Sequence, residues 1–251
     1  MSTLESQFAK IRTSRKFVQE DEAYLANRQQ FAENLGIPNL FSFIDQFGLY
    51  AGTQTLAARL QTYEVLKSSI RVPGHIVEFG VWHGSNLLFM SKLLRLLQPS
   101  TSKLVFGFDN FSGLPEAHSL DGTEAGSMVG KYKGNEEVLR AAIKLYELEE
   151  WVHLVKGDAT QTIPAFETAF PEALVSLAWI DFDLYEPTKA ALEFLARRLS
   201  IGGIIVFDEA ISQIWPGETV AMIEFLEQTG VSYRMEANTL GRQPVMFLVR
   251  E

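Results

Sequence analysis

Four carboxylates in two short segments dominate the chemistry this sequence can do. Asp181 and Asp183 stand two apart after an apolar run that ends at Ile180, and Asp208 and Glu209 follow a second apolar run at 203–207. In an extended segment, residues two apart point to the same side. If the two runs are neighbouring strands, about 4.8 Å separates their backbones. Acids at that range repel and raise one another's pKa unless a cation joins them. A set of oxygen donors with no His or Cys favours Mg²⁺, or Ca²⁺ or Mn²⁺, over zinc. The alternative is that one acid caps a helix while the others face solvent.

Three further segments carry ligand-binding signals. Glu78, Gly80, Gly84 and Ser85 form a turn with the spacing G-x-x-x-G. Gly80 would let a ligand approach the backbone, and Gly84 would sit near a helix start whose free N–H groups face it. Both the dinucleotide fingerprint G-x-G-x-x-G and the phosphate loop are absent. Glu78 ends an otherwise apolar strand; its charge repels a diphosphate and suits a cationic or amino-bearing ligand. A plain strand-to-helix turn is the alternative. Asp109, followed by Asn110, lies one strand–helix–strand unit downstream, where an acid can accept both hydroxyls of a ribose, or else form an Asx-turn. Asp158 can take a hydrogen from an adenine amino group or simply cap the next helix. The histidines, His75, His83, His118 and His153, show no metal-ligand spacing; His83, inside the glycine turn, is the one placed beside a ligand.

These residues need a frame to hold them at one edge. Segments 75–79, 103–108, 151–156, 174–180 and 203–207 read as strands. Helical stretches at 85–97, 135–149, 162–170, 187–199 and 216–229 alternate with them. That alternation implies a doubly wound, Rossmann-like α/β fold with a mostly parallel, seven-stranded sheet. Segments 231–236 and 245–249 read as an antiparallel C-terminal hairpin across 238–244. In such a sheet a ligand binds outside the carboxyl ends of the strands, where every acid named above falls. Residues 1–74 read as an N-terminal helical cap, with helices at 17–34 and 39–66 punctuated by Pro38 and Gly48, and 75–251 as the α/β domain. The long polar connection 110–134, rich in glycine, is a candidate lid.

Bulk composition narrows the field. The chain has 251 residues and no cysteine, so disulfides, zinc–thiolate sites and a thiol nucleophile are excluded. Absence of cysteine fits a reducing compartment, and a cytoplasmic location is expected. A net charge of −9 argues against a broad grip on nucleic acid or anionic lipid. No apolar run reaches the roughly 18 residues of a membrane span, and the N-terminal segment has no signal-peptide core. The amphipathic N-terminal region is compatible with a homodimer.

Taken together, the runs 77–84, 108–116, 180–188 and 202–209 resemble the class I methyltransferases of the macrocin O-methyltransferase type, over about residues 50–250. The segment Asp181-Phe182-Asp183-Leu184-Tyr185-Glu186-Pro187-Thr188 is the most specific part. The resemblance implies S-adenosylmethionine as cofactor and Mg²⁺ held by three acids: Asp181, Asp208 and Glu209. It places Glu78, Gly80 and Gly84 around the methionine moiety and Asp109 on the ribose; Ser85, Asn110, Asp158 and Asp181 complete the expected cofactor lining. The chain departs from the family in having Glu209 where a second Asp is usual, and in having Asp158. The expected acceptor is a hydroxyl of a small molecule, on a sugar of a natural product, with Asp181 or Asp183 as proton acceptor. Asp181 is preferred as the metal ligand and Asp183 as its support. A catechol-type methyltransferase and a non-catalytic cofactor-binding protein are the alternatives. A nicotinamide-dependent oxidoreductase would want the missing dinucleotide fingerprint.

Overall fold

The computed structural model describes residues 22–244 and 246–251. Residues 17–21 of the helix expected at 17–34, the start of the chain and Val245 lie outside the described residues. The chain divides into two compact units. The smaller holds α1 (Glu22–Asn34), α2 (Leu40–Ile44) and α3 (Phe47–Tyr50), with residues 144–146. Within it Arg28 pairs with Asp45 at 2.6 Å and lies over the Phe41 ring. The helical stretch expected at 39–66 is broken: α4 (Thr53–Ser69) starts afresh after Gly52, whose extended φ and ψ of −71° and 161° end the preceding turn. α4 belongs to the larger unit, which begins at Gly52, so residue 74 falls inside that unit.

The larger unit is the α/β fold that the alternation of strands and helices predicts. It runs β1 (His75–Phe79), α5 (Ser85–Leu97), β2 (Val105–Asp109), the folded connection containing α6 (Gly122–Ala125), α7 (Glu136–Leu145), β3 (Val152–Lys156), α8 (Ala159–Ala169), β4 (Val175–Ile180), α9 (Tyr185–Arg198), β5 (Leu199–Phe207), α10 (Pro216–Gln228), β6 (Tyr233–Ala237) and β7 (Met246–Arg250). The seven strands are ordered β3-β2-β1-β4-β5-β7-β6. The first five are parallel, and β7 pairs antiparallel with both β5 and β6. Strand order reverses between β1 and β4, which opens the crevice there.

Packing explains the elements. α5 buries Leu87, Leu88, Met90, Ser91 and Leu94, the spacing of one helical face. β4 is buried at every position, as a central parallel strand covered on both faces should be. Phe79, Phe108, Phe194 and Phe207 are fully enclosed at the centre of the core.

Hydrogen bonding between strands continues one residue past their ends. The N–H groups of Gly80, Asp181, Asp208 and Gly157 donate to Phe108, Phe79, Ile180 and Asp109 carbonyls at 2.9, 2.8, 3.1 and 3.0 Å. Phe79 is in register with Phe108 and Ile180, and Ile180 with Phe207. The residues that follow, Asp109, Asp181 and Asp208, therefore share one row, and residues in one row of a parallel sheet face the same way. Gly80 sits in the same row. With φ of +88°, it leaves no room for a side chain: a Cβ there would lie 1.9 Å from the Asp181 carbonyl oxygen.

Candidate active site

A cavity of about 820 Å³ opens at this row, within the range of small-molecule sites. Asp109, Asn110, Asp158, Asp181, Asp183, Asp208 and Glu209 line it, together with Gly80. Glu78, Gly84 and Ser85 are set back behind the glycine turn instead. Gly84 takes a left-handed φ of +78° and abuts Leu139, 2.2 Å from where its Cβ would stand. Ser85 accepts a hydrogen bond from Arg59 at 3.2 Å. Glu78 accepts one from Asn86 at 2.8 Å, and burial pushes its pKa up to about 8, with Asn86 and Arg59 opposing. Arg59, from α4, is a member of this network that the sequence did not single out. His83 is exposed and packs its ring on Trp82, 4.4 Å between centroids, away from the cavity lining.

Asp109 forms the Asx-turn and also ties down the glycine turn. Its Oδ1 accepts the N–H of Phe111 at 2.6 Å, an Asx-turn, while Oδ2 accepts those of Val81 and Trp82 at 2.8 and 2.7 Å. An ionised carboxylate has about four acceptor positions, so capacity remains for a ligand hydroxyl. Asp158 caps α8 through Thr160, its Oδ1 taking the N–H at 2.9 Å and the hydroxyl at 2.7 Å, and also faces the cavity. Asn110 spends both ends of its amide on the loop, at Ser112 and Gly113.

The acid cluster is electrostatically tight. Asp181 opens onto the water of the cavity, yet protein crowds it. Poor hydration first, and then the charges of Asp208, Asp183, Glu218 and Glu78, raise its pKa. Burial and the Glu209 charge push Asp208 up to about 7; burial, Glu209 and Asp208 do the same to Asp183. The extended geometry expected for Asp181 to Asp183 is not what forms: Asp183 is left-handed, with φ of 63°. Trp82 and Tyr132 line the same cavity with φ of 49° and 58°. Such conformations are unfavourable for non-glycine residues and cluster at functional sites.

Two acids that sequence reasoning missed belong to this arrangement. Glu218, fully enclosed in the first turn of α10, accepts the Glu209 N–H at 3.0 Å. Asp121 is also enclosed; its Oδ1 accepts the N–H of Tyr185 and its Oδ2 that of His118, each at 2.6 Å. Neither shows in the sequence, because one looks like an ordinary helix-start acid and the other lies in a segment without periodicity.

Asp121 explains the connection 110–134. The segment closes on itself where Leu114 pairs with Gly130 and Lys131 at 2.9 Å. It packs Leu114, Ala117 and Met128 against Ala125, Leu184 and Trp215. Of the aromatic residues near the crevice, Trp82, Tyr132 and Trp215 line the cavity, whereas Trp179 and Tyr185 are core. Gly217 presses on the Asp121 carboxylate: a Cβ would stand 1.9 Å from Oδ1 and 2.7 Å from the Tyr185 nitrogen. Gly217→Ala is therefore expected to cost about 1–3 kcal/mol in urea unfolding, the usual range for overpacking. Unchanged stability would mean that Asp121 is not held there.

Among the described residues, no group of three or more His, Asp or Glu side chains is placed to hold a metal ion. The chemistry of the donors does suit a hard divalent cation: all are carboxylates, and Oε2 of Glu218 is buried without a protein partner. Such a cation would draw the acids together against their own repulsion.

A family model described as macrocin O-methyltransferase (TylF) matches residues 27–239. The 8-demethyl-8-(2,3-dimethoxy-α-L-rhamnosyl)-tetracenomycin-C 4'-O-methyltransferase of Streptomyces olivaceus is 34% identical over 144 residues, 55% of this chain and 53% of that protein. Demethyldecarbamoylnovobiocin O-methyltransferase of Streptomyces niveus is 32% identical over 145 residues, with the same shares. The alignment thus spans about half the length of these curated relatives. The crystal structure of CalS11, a calicheamicin methyltransferase, superposes with a TM-score of 0.72 at 26% identity, over 94% of this chain and 97% of that one. With the family model covering most of its length, the chain belongs to the macrocin O-methyltransferase family.

Proposed function

We propose that this chain is an S-adenosylmethionine-dependent O-methyltransferase that methylates a sugar hydroxyl of a natural product, assisted by a divalent metal. The observation that carries the reading is the single row of Asp109, Asp181 and Asp208 facing one cavity at the strand switch point. Family membership supports the reaction class. The sugar follows the Streptomyces olivaceus relative, which is named for the 4'-oxygen of a rhamnosyl tetracenomycin.

Bound S-adenosylmethionine supplies a methyl group already activated on a sulfonium, so the protein must hold the acceptor in line and take up its proton. Asp109 accepts a ribose hydroxyl on its remaining acceptor position, and Asp158 with Asn110 bounds the adenine side. The clustered carboxylates favour the positive sulfonium end. Asp181 and Asp208 would hold a divalent cation, with Glu209 as the third acid, and such a cation would supply Lewis acidity that makes the acceptor hydroxyl more acidic. Asp181 or Asp183 receives the proton. Trp82, Tyr132 and Trp215 form the acceptor wall.

Calorimetric titration with S-adenosylhomocysteine, followed by transfer assays on glycoside and catechol acceptors with and without Mg²⁺, tests the reading. Saturable binding and Mg²⁺-stimulated transfer to a sugar hydroxyl are expected. No binding, or transfer to phenols alone, would overturn it.

A further inference from the structure

We propose that Tyr132 is the specificity-determining residue of the acceptor site: with Trp82 and Trp215 it forms an aromatic wall against which an uncharged sugar ring lays its C–H face. The inference rests on the reading above that the acceptor is a sugar hydroxyl.

Tyr132 stands at the centre of the wall. Its ring centroid lies 6.2 Å from that of Trp82 and 6.3 Å from that of Trp215, and both pairs meet edge to face, at interplanar angles of 79° and 71°. All three residues line the cavity. Trp215 is buried in the small core shared with Ala125 and Leu184, and so backs the Tyr132 ring. Tyr132 and Trp82 are instead half-exposed. Aromatic surface left open in a cavity is covered when a ligand enters. Stacking removes that surface and the C–H face of the ligand from water together.

The backbone holds Tyr132 there against its preference. Its φ of 58° is left-handed, a conformation that glycine takes freely and tyrosine does not. Two fixed points enforce it. On one side Lys131 donates its N–H to the Met128 carbonyl and accepts that of Leu114, each at 2.9 Å. On the other, Gly134 presses on the glycine turn so closely that a Cβ would stand 2.1 Å from the Trp82 carbonyl oxygen. Trp82, left-handed in turn at 49°, is fixed through its own N–H, which donates to Asp109 Oδ2 at 2.7 Å. A position that served the turn alone would suit glycine. A large aromatic ring placed at such a site, and facing a cavity, points to a function for the ring.

Charge narrows the class of sugar. Carboxylates crowd this cavity, and among the described residues no Lys, Arg or His belongs to its lining. The diphosphate of a nucleotide sugar would meet like charges there, whereas a simple glycoside brings none. A sugar ring carries hydroxyls around its rim and C–H groups on its faces. The rim suits carboxylates, which accept hydrogen bonds, and the face suits aromatic rings. The cavity offers both partners to an uncharged glycoside and neither to a phosphate.

The test is methyl transfer by the full chain to methyl α-L-rhamnopyranoside and to dTDP-L-rhamnose, with S-adenosylhomocysteine binding measured alongside by calorimetry. Tyr132→Gly removes the ring and relaxes the left-handed backbone. It should raise KM for the glycoside by about tenfold or more, the scale of an aromatic hot spot, with kcat little changed, as loss of uniform binding requires. S-adenosylhomocysteine affinity and melting temperature should stay near the wild-type values, which a merely structural role would not allow. Tyr132→Phe keeps the stacking face and should restore the wild-type KM. The wild type should favour the glycoside over the nucleotide sugar in kcat/KM. An unchanged KM in Tyr132→Gly, a matching loss of S-adenosylhomocysteine affinity, or a preference for dTDP-L-rhamnose would overturn the inference while leaving the sugar reading standing. A wild type that transfers to neither sugar would remove both.

Discussion

Asp181→Asn is expected to lower methyl transfer by about 10²–10⁴-fold, the range associated with loss of a positioned proton acceptor, while S-adenosylhomocysteine still binds. The substitution is nearly isosteric, and the Asp181 backbone stays tied to Phe79 through its own N–H at 2.8 Å. The row of strand ends should therefore survive, and only charge and basicity are lost. Asp208→Asn should show a comparable fall that excess Mg²⁺ partly restores, because its loss weakens the cation rather than the proton acceptor. Single-turnover assays with matched calorimetry separate the two. Full turnover in both variants with normal cofactor binding would sink the metal-assisted mechanism.

The second large effect is on stability. In the metal-free chain, burial and mutual repulsion push Asp183 and Asp208 up to about 7 and raise Asp181 and Glu218 as well. Unfolded, these carboxyls titrate near 4. Between these values the folded chain holds more protons than the unfolded one. Their contribution is full below the unfolded pKa and is lost as pH rises through the folded one. The metal-free melting temperature should therefore be higher near pH 5.5 than near pH 8, by at least about 5 °C, given about 2–4 °C per kcal/mol for a chain of this size. Water in the cavity screens Asp181 and trims the effect. Mg²⁺ binds the deprotonated acids, so it should raise the melting temperature far more at the higher pH. Equal Mg²⁺ effects at both pH values, or melting independent of pH, would contradict this account.

Much of this was legible in the residues themselves. The parallel core could be read because apolar runs such as 174–180 and the amphipathic face of α5 repeat with the periods of strand and helix. The hairpin that adds β7 beside β5 followed from the same patterning. Asp109, Asp181 and Asp208 were found because each stands at or directly after the end of a strand, where topology dictates its place. Residues whose roles depend on distant partners were not legible. Glu218 meets Glu209 only after α10 turns back, and Asp121 meets Tyr185 across 64 positions of chain. The glycines were half legible: their need for space was evident, but Gly80 and Gly84 yield it to the Asp181 carbonyl and to Leu139. Local sequence cannot distinguish room for a ligand from room for the protein's own atoms.

The packing of 110–134 bears on how such enzymes diversify. The row of acids hangs on the sheet, whereas the 110–134 segment adds Tyr132 to the cavity wall, shares a small core with Leu184 and Trp215, and carries one plug, Asp121, seated in a socket made by Gly217 and the Tyr185 amide. A transplanted cassette that preserves plug and socket can exchange the surface offered to the acceptor without disturbing the row of acids beneath it.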